Sequence, residues 1–366
     1  MWCDPAFTAV ADAFRETDRG AAGGAALAVY AGGRLVVDLW QGTADADGVR
    51  PWERDTVVNV FSASKGLLAT LAHLYVQRGL LDLDAPVARY WPEFATATTI
   101  ADLLAHRAGL PAVRRELPPG ALFDWDAMTA ALAAETPWWP PGERHGYHAV
   151  TFGWLVGEVL RRVGGRPVRD LVRDELGVPG LWIGLPASEA GRAAYLAPPQ
   201  AGDEPPAALT KAMSEPGSIT MMAFCNPAEQ LTPGLANTAR WRAAQIPASN
   251  GHATARALAT LYGRLVSGEI LGPGALALAV APRSEGRDEV LLARTRFALG
   301  YMLPCEIRPY APNPRAFGHT GSGGALAFAD PDAGVALAYT PSRLIVSAAG
   351  PDPRWEPIVS ALYACL

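Results

Sequence analysis

The sequence predicts an α/β protein of the α+β kind. An antiparallel sheet is built from both chain ends and flanked by helices, and a mostly helical segment is inserted between them. Three observations predict this. Two β-rich runs, "GAALAVYAGG" and "RLVVDLWQG", follow a short amino-terminal helix. Residues from about 85 to 270 carry apolar positions at helical spacing, broken by Pro- and Gly-rich loops. The tail returns to short β-rich runs and closes on one amphipathic helix. Strands at both ends with helices between them imply one sheet assembled across the whole chain. The expected division is residues 1–84 with 270–366 as the α/β domain and 85–269 as the helical domain, with the active site in the cleft between them.

Residues 5 to 18 read as the first helix. Gly32-Gly33 joins the two β-rich runs, which is a hairpin signal. In "VFSASKGLLATLAHLYVQRGLL", residues 60 to 81, Leu67, Leu68, Leu71, Leu74 and Tyr75 recur at helical spacing, and Gly79 is a stop. Ala69, Ala72 and Val76 fill the other faces, so this helix is expected to be buried nearly all round. Further helices are expected at 125–135, 148–163, 166–175 and 252–267. The stretch from about 184 to 235, with "APPQAGDEPP", is the least regular, and such loops are commonly functional. "TRFALGYML", "AFGHTG", "GALAFAD" and "GVALAYTP" read as strands, and residues from 354 to about 365 as the closing helix.

Composition excludes several functions. The 366 residues are 50% hydrophobic and 18% charged, a globular balance. The net charge is -5 with no basic run, so nucleic acid is not an expected partner. No uncharged apolar run is long enough for a membrane span, and the first residues lack a secretory pattern. Cys3, Cys225, Cys305 and Cys365 are too scattered for a zinc pattern or a dense disulfide frame. A reducing cytoplasm is therefore expected. No G-x-G-x-x-G, P-loop, H-E-x-x-H or G-x-S-x-G is present, and neither a cofactor nor a metal is expected.

The chemistry starts from a lysine. The chain holds 31 basic residues, of which only Lys65 and Lys211 are lysines. Ser62-Ala63-Ser64-Lys65 spells S-x-x-K at the start of the buried helix. Residues three apart share a helix face, so the Ser62 hydroxyl and the Lys65 amine can meet. Serine is a weak nucleophile until a base takes its proton. A buried lysine can lose its charge and serve as that base, whereas arginine cannot. Ser62 could equally be a helix cap, and chemistry needs partners. Tyr147, in "PGERHGYHAVTFGWL", precedes a helix, and a lysine nearby can push a tyrosine toward phenolate. His319-Thr320-Gly321 ends a short strand in "FGHTGSGGALAFADP". The glycines after it let backbone N–H groups approach a ligand, as an oxyanion hole requires.

In this order the three motifs resemble the serine β-lactamase and penicillin-binding protein superfamily, with its β-lactamase/transpeptidase-like fold. The sequence is most similar to the class C β-lactamase-like branch and within it to the family VIII carboxylesterases. The resemblance also takes in "LLAHRAGLP" at 103–111 and "ASNGHATARALATLYGRL" at 248–265. It implies Ser62 as nucleophile, Lys65 as proton-relay partner, and Tyr147 as general base and later acid. It implies an oxyanion hole from the N–H groups of Ser62 and Ser322, with His319, Thr320 and Gly321 along the substrate.

Two departures matter. Ala149 stands where class C β-lactamases carry the Asn of Tyr-x-Asn, and His319 replaces the lysine of Lys-Thr-Gly. Both changes point to a small uncharged ester as substrate. Acyl transfer to another acceptor, β-lactam or D-Ala peptide hydrolysis, and a non-catalytic binding role are the alternatives. Trp138 and Trp139 are candidates for the wall of an apolar acyl pocket.

Overall fold

The computed structural model describes residues 1–17, 22–199, 207–345 and 352–366. Strand β1 (Trp2–Cys3) leads into α1 (Thr8–Thr17), then β2 (Gly24–Ala31) and β3 (Arg34–Gly42) form the expected hairpin. Gly32 and Gly33 both have positive φ, 56° and 75°, as a two-residue hairpin turn demands. Next come β4 (Val58–Phe61), a 3₁₀ turn at Ser62–Ser64, and α2 (Lys65–Gln77). The middle of the chain holds α3 (Ile100–Leu104), α4 (Trp125–Ala133), α5 (Thr151–Gly164), α6 (Val168–Leu176) and β5 (Leu181–Ile183). It continues through α7 (Ala207–Ser214), α8 (Ile219–Cys225), α9 (Ala239–Ala243), β6 (Gly251–Ala253), α10 (Ala255–Val266) and α11 (Pro273–Val280). The tail is β7 (Ser284–Arg287), β8 (Arg294–Phe297), β9 (Phe317–Thr320), β10 (Leu326–Asp330), β11 (Val335–Pro341) and α12 (Trp355–Ala364).

The main sheet has the order β1-β3-β2-β11-β10-β9, antiparallel throughout, so both chain ends do build it. Its central strand β11 alternates Ala336 and Ala338 with Leu337 and Tyr339. Tyr339 meets Phe14 of α1, ring centroids 6.3 Å apart, on one face. Tyr30, paired with Ala336, points to the other face. There its hydroxyl meets Thr260 of α10 at 3.0 Å, and Gly263 leaves the room for its ring. The sheet is thus sandwiched between α1 with α12 and α10. Helix α10, which sequence spacing assigns to the helical segment, packs on the sheet instead.

The helical reading of 85–269 also missed β5 and β6, which pair with β4 in a second, three-stranded sheet. Strands of three residues are too short to show an alternating pattern. Among the described residues of 184–235 the chain forms short helices, while 200–206 lie outside them. Helix α2 is buried from Lys65 to Tyr75 as expected. It joins the two halves at the core, and the candidate site lies at its amino-terminal end.

Candidate active site

Strand β4 ends on a strained residue. Phe61 has φ 45° and ψ -127°, a conformation L-residues rarely adopt and one that costs about 1–3 kcal/mol. The kink turns the chain from strand to helix within one residue and brings Ser62 to the wall of a cavity. Ser64 holds the kink. Its hydroxyl donates to the Phe61 carbonyl and accepts the Gly251 N–H of β6 at 2.8 Å. A side chain at 251 would collide with that hydroxyl, so the β4–β6 contact requires glycine.

Lys65 is fully buried. Its Nζ lies 3.1 Å from Ser62 Oγ, 2.7 Å from the Ala149 carbonyl and 3.1 Å from the Ala248 carbonyl. No carboxylate pairs with it among the described residues. Burial therefore pushes its pKa well below 10.5. The two carbonyls accept two N–H bonds, which is all that a neutral amine has to donate. In the neutral amine the lone pair is left for the Ser62 hydroxyl, 3.1 Å away, a geometry that suits a base.

Tyr147 is buried, with the Ser62 side chain near enough to its phenol to favour the ionised form. The Lys65 ammonium position is 4.8 Å from its ring centroid. The ring lies parallel to Phe297 of β8, 5.9 Å away with 5° between planes. Burial raises the phenol pKa, and the Ser62 side chain and Arg308 offset this only in part. The push toward phenolate expected from the sequence is thus outweighed by desolvation. A dry pocket disfavours the charge-separated ammonium–phenolate pair against neutral amine and neutral phenol, which hold the same number of protons.

Asp288, which the sequence did not single out, positions Tyr147. Its buried Oδ1 accepts the N–H groups of Tyr147 at 3.0 Å and of Val290 and Leu291 at 2.9 Å each. Its Oδ2 accepts the Thr295 hydroxyl at 3.1 Å, and that oxygen contacts His145 Nε2 at 2.9 Å. His145 and His148 are consumed by this scaffold. His148 Nδ1 donates to the Gly146 carbonyl at 2.7 Å and Nε2 accepts the Leu110 N–H at 3.1 Å. No cluster of three potential metal ligands exists among the described residues.

His319 and Thr320 lie on β9, at the edge of the main sheet, and both are buried. The His319 ring centroid is 5.9 Å from that of Tyr147. Its Nδ1 donates to the Thr320 carbonyl at 2.7 Å, which leaves the lone pair on Nε2. Burial, then the charges at Lys65 and Arg308, depress its pKa to about 3, so it is neutral near pH 7. Positive charge reaches this corner from elsewhere. The guanidinium of Arg308, in the loop between β8 and β9, donates to the Ile307 carbonyl at 2.6 Å and has no carboxylate partner among the described residues.

Gly321 packs against the backbone of β4, where a Cβ would strike the Val60 carbonyl oxygen. This close approach sets the turn carrying Ser322 beside the one carrying Ser62, and both serines line the same cavity. Gly323 and Gly324 adopt φ of 82° and 109°. Their carbonyls accept from Arg354 Nη2 at 2.7 Å and Trp355 Nε1 at 2.8 Å, which anchors the turn to α12.

The cavity has a volume of about 690 Å³ and opens beside Ser62. Ala149 lines it, so its carbonyl serves Lys65 while its methyl leaves space. Trp138 and Trp139 do not line it, contrary to expectation. Trp138 donates to the Ala112 carbonyl at 3.0 Å and stacks under Arg114, and Trp139 packs against His148. Both rings brace the 106–112 segment that carries His148's partner. The cavity wall comes instead from Tyr195, Phe224 and Leu235, in the irregular region whose sequence has no periodicity to read, and from Trp241 of α9 just after it.

Comparison with known proteins places the chain in a family. The sequence profile of the β-lactamase family matches residues 10–354. The esterase/β-lactamase LipL of Mycobacterium tuberculosis is 39% identical, across 93% of this chain and 82% of LipL. A solved family VIII carboxylesterase superposes with a TM-score of 0.89 at 36% identity, covering 100% of this chain and 99% of the other. A penicillin-binding protein homologue from Caulobacter crescentus gives 0.85 at 39% identity, with coverage of 100% and 99%. With a profile match over most of its length and a relative of this identity, the chain belongs to the β-lactamase family.

Proposed function

We propose that this protein is a serine carboxylesterase that hydrolyses small, uncharged carboxylic esters through an acyl-enzyme on Ser62. The observation that carries the reading is the 3.1 Å approach of Ser62 Oγ to a buried Lys65 amine whose two N–H bonds go to carbonyls. Lys65 takes the Ser62 proton as Oγ attacks the ester carbonyl. The oxyanion is held by the N–H groups of Ser62 and Ser322. Tyr147 gives its phenol proton to the departing alkoxide and is reprotonated from Lys65. Water then enters, loses a proton along the same route and releases the acid. In this scheme Lys65 is the resting base and Tyr147 the shuttle, because burial favours both neutral forms. Thr320 and Gly321 line the approach of β9 to the reacting ester, and His319 supports Tyr147 as a neutral ring.

The four cysteines are unpaired, which fits a reducing cytoplasm. No helix among the described residues is long and apolar enough to cross a membrane. The esterase reading is tested with p-nitrophenyl butyrate and a fluorophosphonate probe. Wild type turns over the ester and is labelled, and Ser62→Ala does neither. Ester turnover retained by Ser62→Ala overturns the reading. Nitrocefin turnover matching ester turnover would make β-lactams the principal substrates.

A further inference from the structure

The cavity beside Ser62 is far larger than a two- to four-carbon acyl group requires, and its volume is in the range that holds drug-sized ligands. Among the described residues, none of the side chains lining it is an acid, a lysine, an arginine or a histidine. A charged substrate group would enter with no counter-ion and lose its hydration. Phe61, Phe224, Leu235, Trp241 and Leu344 make most of the wall apolar.

Two of the polar groups in that wall are spent on the protein. Asn237 exchanges two hydrogen bonds with the Leu196 backbone, accepting at 2.8 Å and donating at 3.0 Å. The Trp241 indole donates to Asn59 Oδ1 at 3.0 Å. Tyr195 is half-buried and Thr232 exposed, so water can serve their hydroxyls. Gln230 differs. Its Nε2 is sealed from water and has no hydrogen-bond partner. An unmet buried donor costs about 1–3 kcal/mol, and a turn of the amide about its soft last torsion presents it to the cavity.

Resting on the esterase reading, we propose that the cavity selects uncharged esters with an extended apolar group, one of whose atoms is an ether or carbonyl oxygen that accepts from Gln230. The apolar wall supplies affinity, and the Gln230 donor, which unlike the wall hydroxyls has no water to serve it, sets register along the chain. Substrates of this class are oxygen-bearing alkyl or aryl esters. Chains ending in carboxylate or ammonium are rejected.

The test compares p-nitrophenyl octanoate with three chains of equal length in which the fourth, fifth or sixth atom is an ether oxygen, and with one ending in carboxylate. One ether position should raise kcat/KM about fivefold over octanoate, the worth of one net hydrogen bond. Gln230→Met, which keeps the length and loses the donor, should return that ratio to one. Gln230→Glu, which keeps the shape and reverses the polarity, should do the same. Equal kcat/KM for octanoate and all three ethers overturns the proposal, as does an ether preference that survives both variants. Turnover of the carboxylate chain equal to octanoate also overturns it. Binding of ketone isosteres of the same chains to wild type, read by calorimetry, tests the same ratio without turnover. A protein that binds the ether ketones with the Gln230-dependent preference but hydrolyses no p-nitrophenyl acetate would refute the esterase reading alone.

Discussion

Replacing Lys65 by arginine keeps a positive charge and removes the lone pair. The amine touches Ser62 Oγ at 3.1 Å and spends two N–H bonds on the Ala149 and Ala248 carbonyls. Guanidinium has donors only and does not deprotonate in proteins, so Ser62 loses its base. A positioned general base contributes about 10²–10⁴ in rate, equivalent to about 3–5 kcal/mol of barrier. The expected kcat/KM of Lys65→Arg on p-nitrophenyl butyrate is therefore about a thousandth of wild type. Arginine also buries a charge with no carboxylate beside it, so the melting temperature falls.

Lys65→Met separates the two effects. It buries no charge but strands two carbonyl oxygens, at a cost of about 1–3 kcal/mol each. Wild-type stability should also depend on pH through this residue. The folded protein favours the neutral amine, so the unfolded chain binds more protons between the lowered folded pKa and 10.5. The Lys65 contribution is whole above 10.5, is lost as pH falls across that window, and is constant below it. Lys65→Met should flatten this part of the stability profile. A folded Lys65→Arg protein within tenfold of wild-type kcat/KM would refute the assignment of Lys65 as base.

Three other perturbations follow from the site. Gly321→Ala should push β9 away from the Val60 carbonyl, with overpacking worth about 1–3 kcal/mol and a kcat loss near a hundredfold; unchanged kcat would show that the turn at Ser322 does not shape the oxyanion site. Asp288→Ala should strand the Tyr147, Val290 and Leu291 N–H groups, lowering the melting temperature and kcat together. Asp288→Asn keeps an acceptor oxygen and should recover most of both; equal damage in the two variants would mean that the charge, not the acceptor, matters. Arg308→Met should raise the Tyr147 pKa further, because the guanidinium opposes the effect of burial there. Tyr147 must stay protonated to serve the leaving alcohol, so the basic limb of the kcat profile should move to higher pH; a limb that moves down would contradict the assigned role.

The sheet was legible because its strands carry the pattern in themselves. Gly32-Gly33 between two β-rich runs, and the Ala–large alternation of β11, are local signals with one reading. Helix α2 was legible for the same reason, and with it the Ser62–Lys65 spacing, since three residues along a helix are adjacent whatever surrounds them. Strands β5 and β6 have three residues each and exist only because β4 offers them a partner. Asp288 and Arg308 carry no motif, and their importance comes from two loops, on either side of β8, folded back onto Tyr147 from 140 and more residues away. The sequence by itself determined the fold class and the pairing of Ser62 with its lysine, since these rest on neighbours along the chain. Only the tertiary structure decided that burial drives the lysine toward its neutral form and holds the proton on the tyrosine, and that no charged side chain among the described residues lines the cavity. Each of those depends on what is excluded from the site, and above all on the exclusion of water.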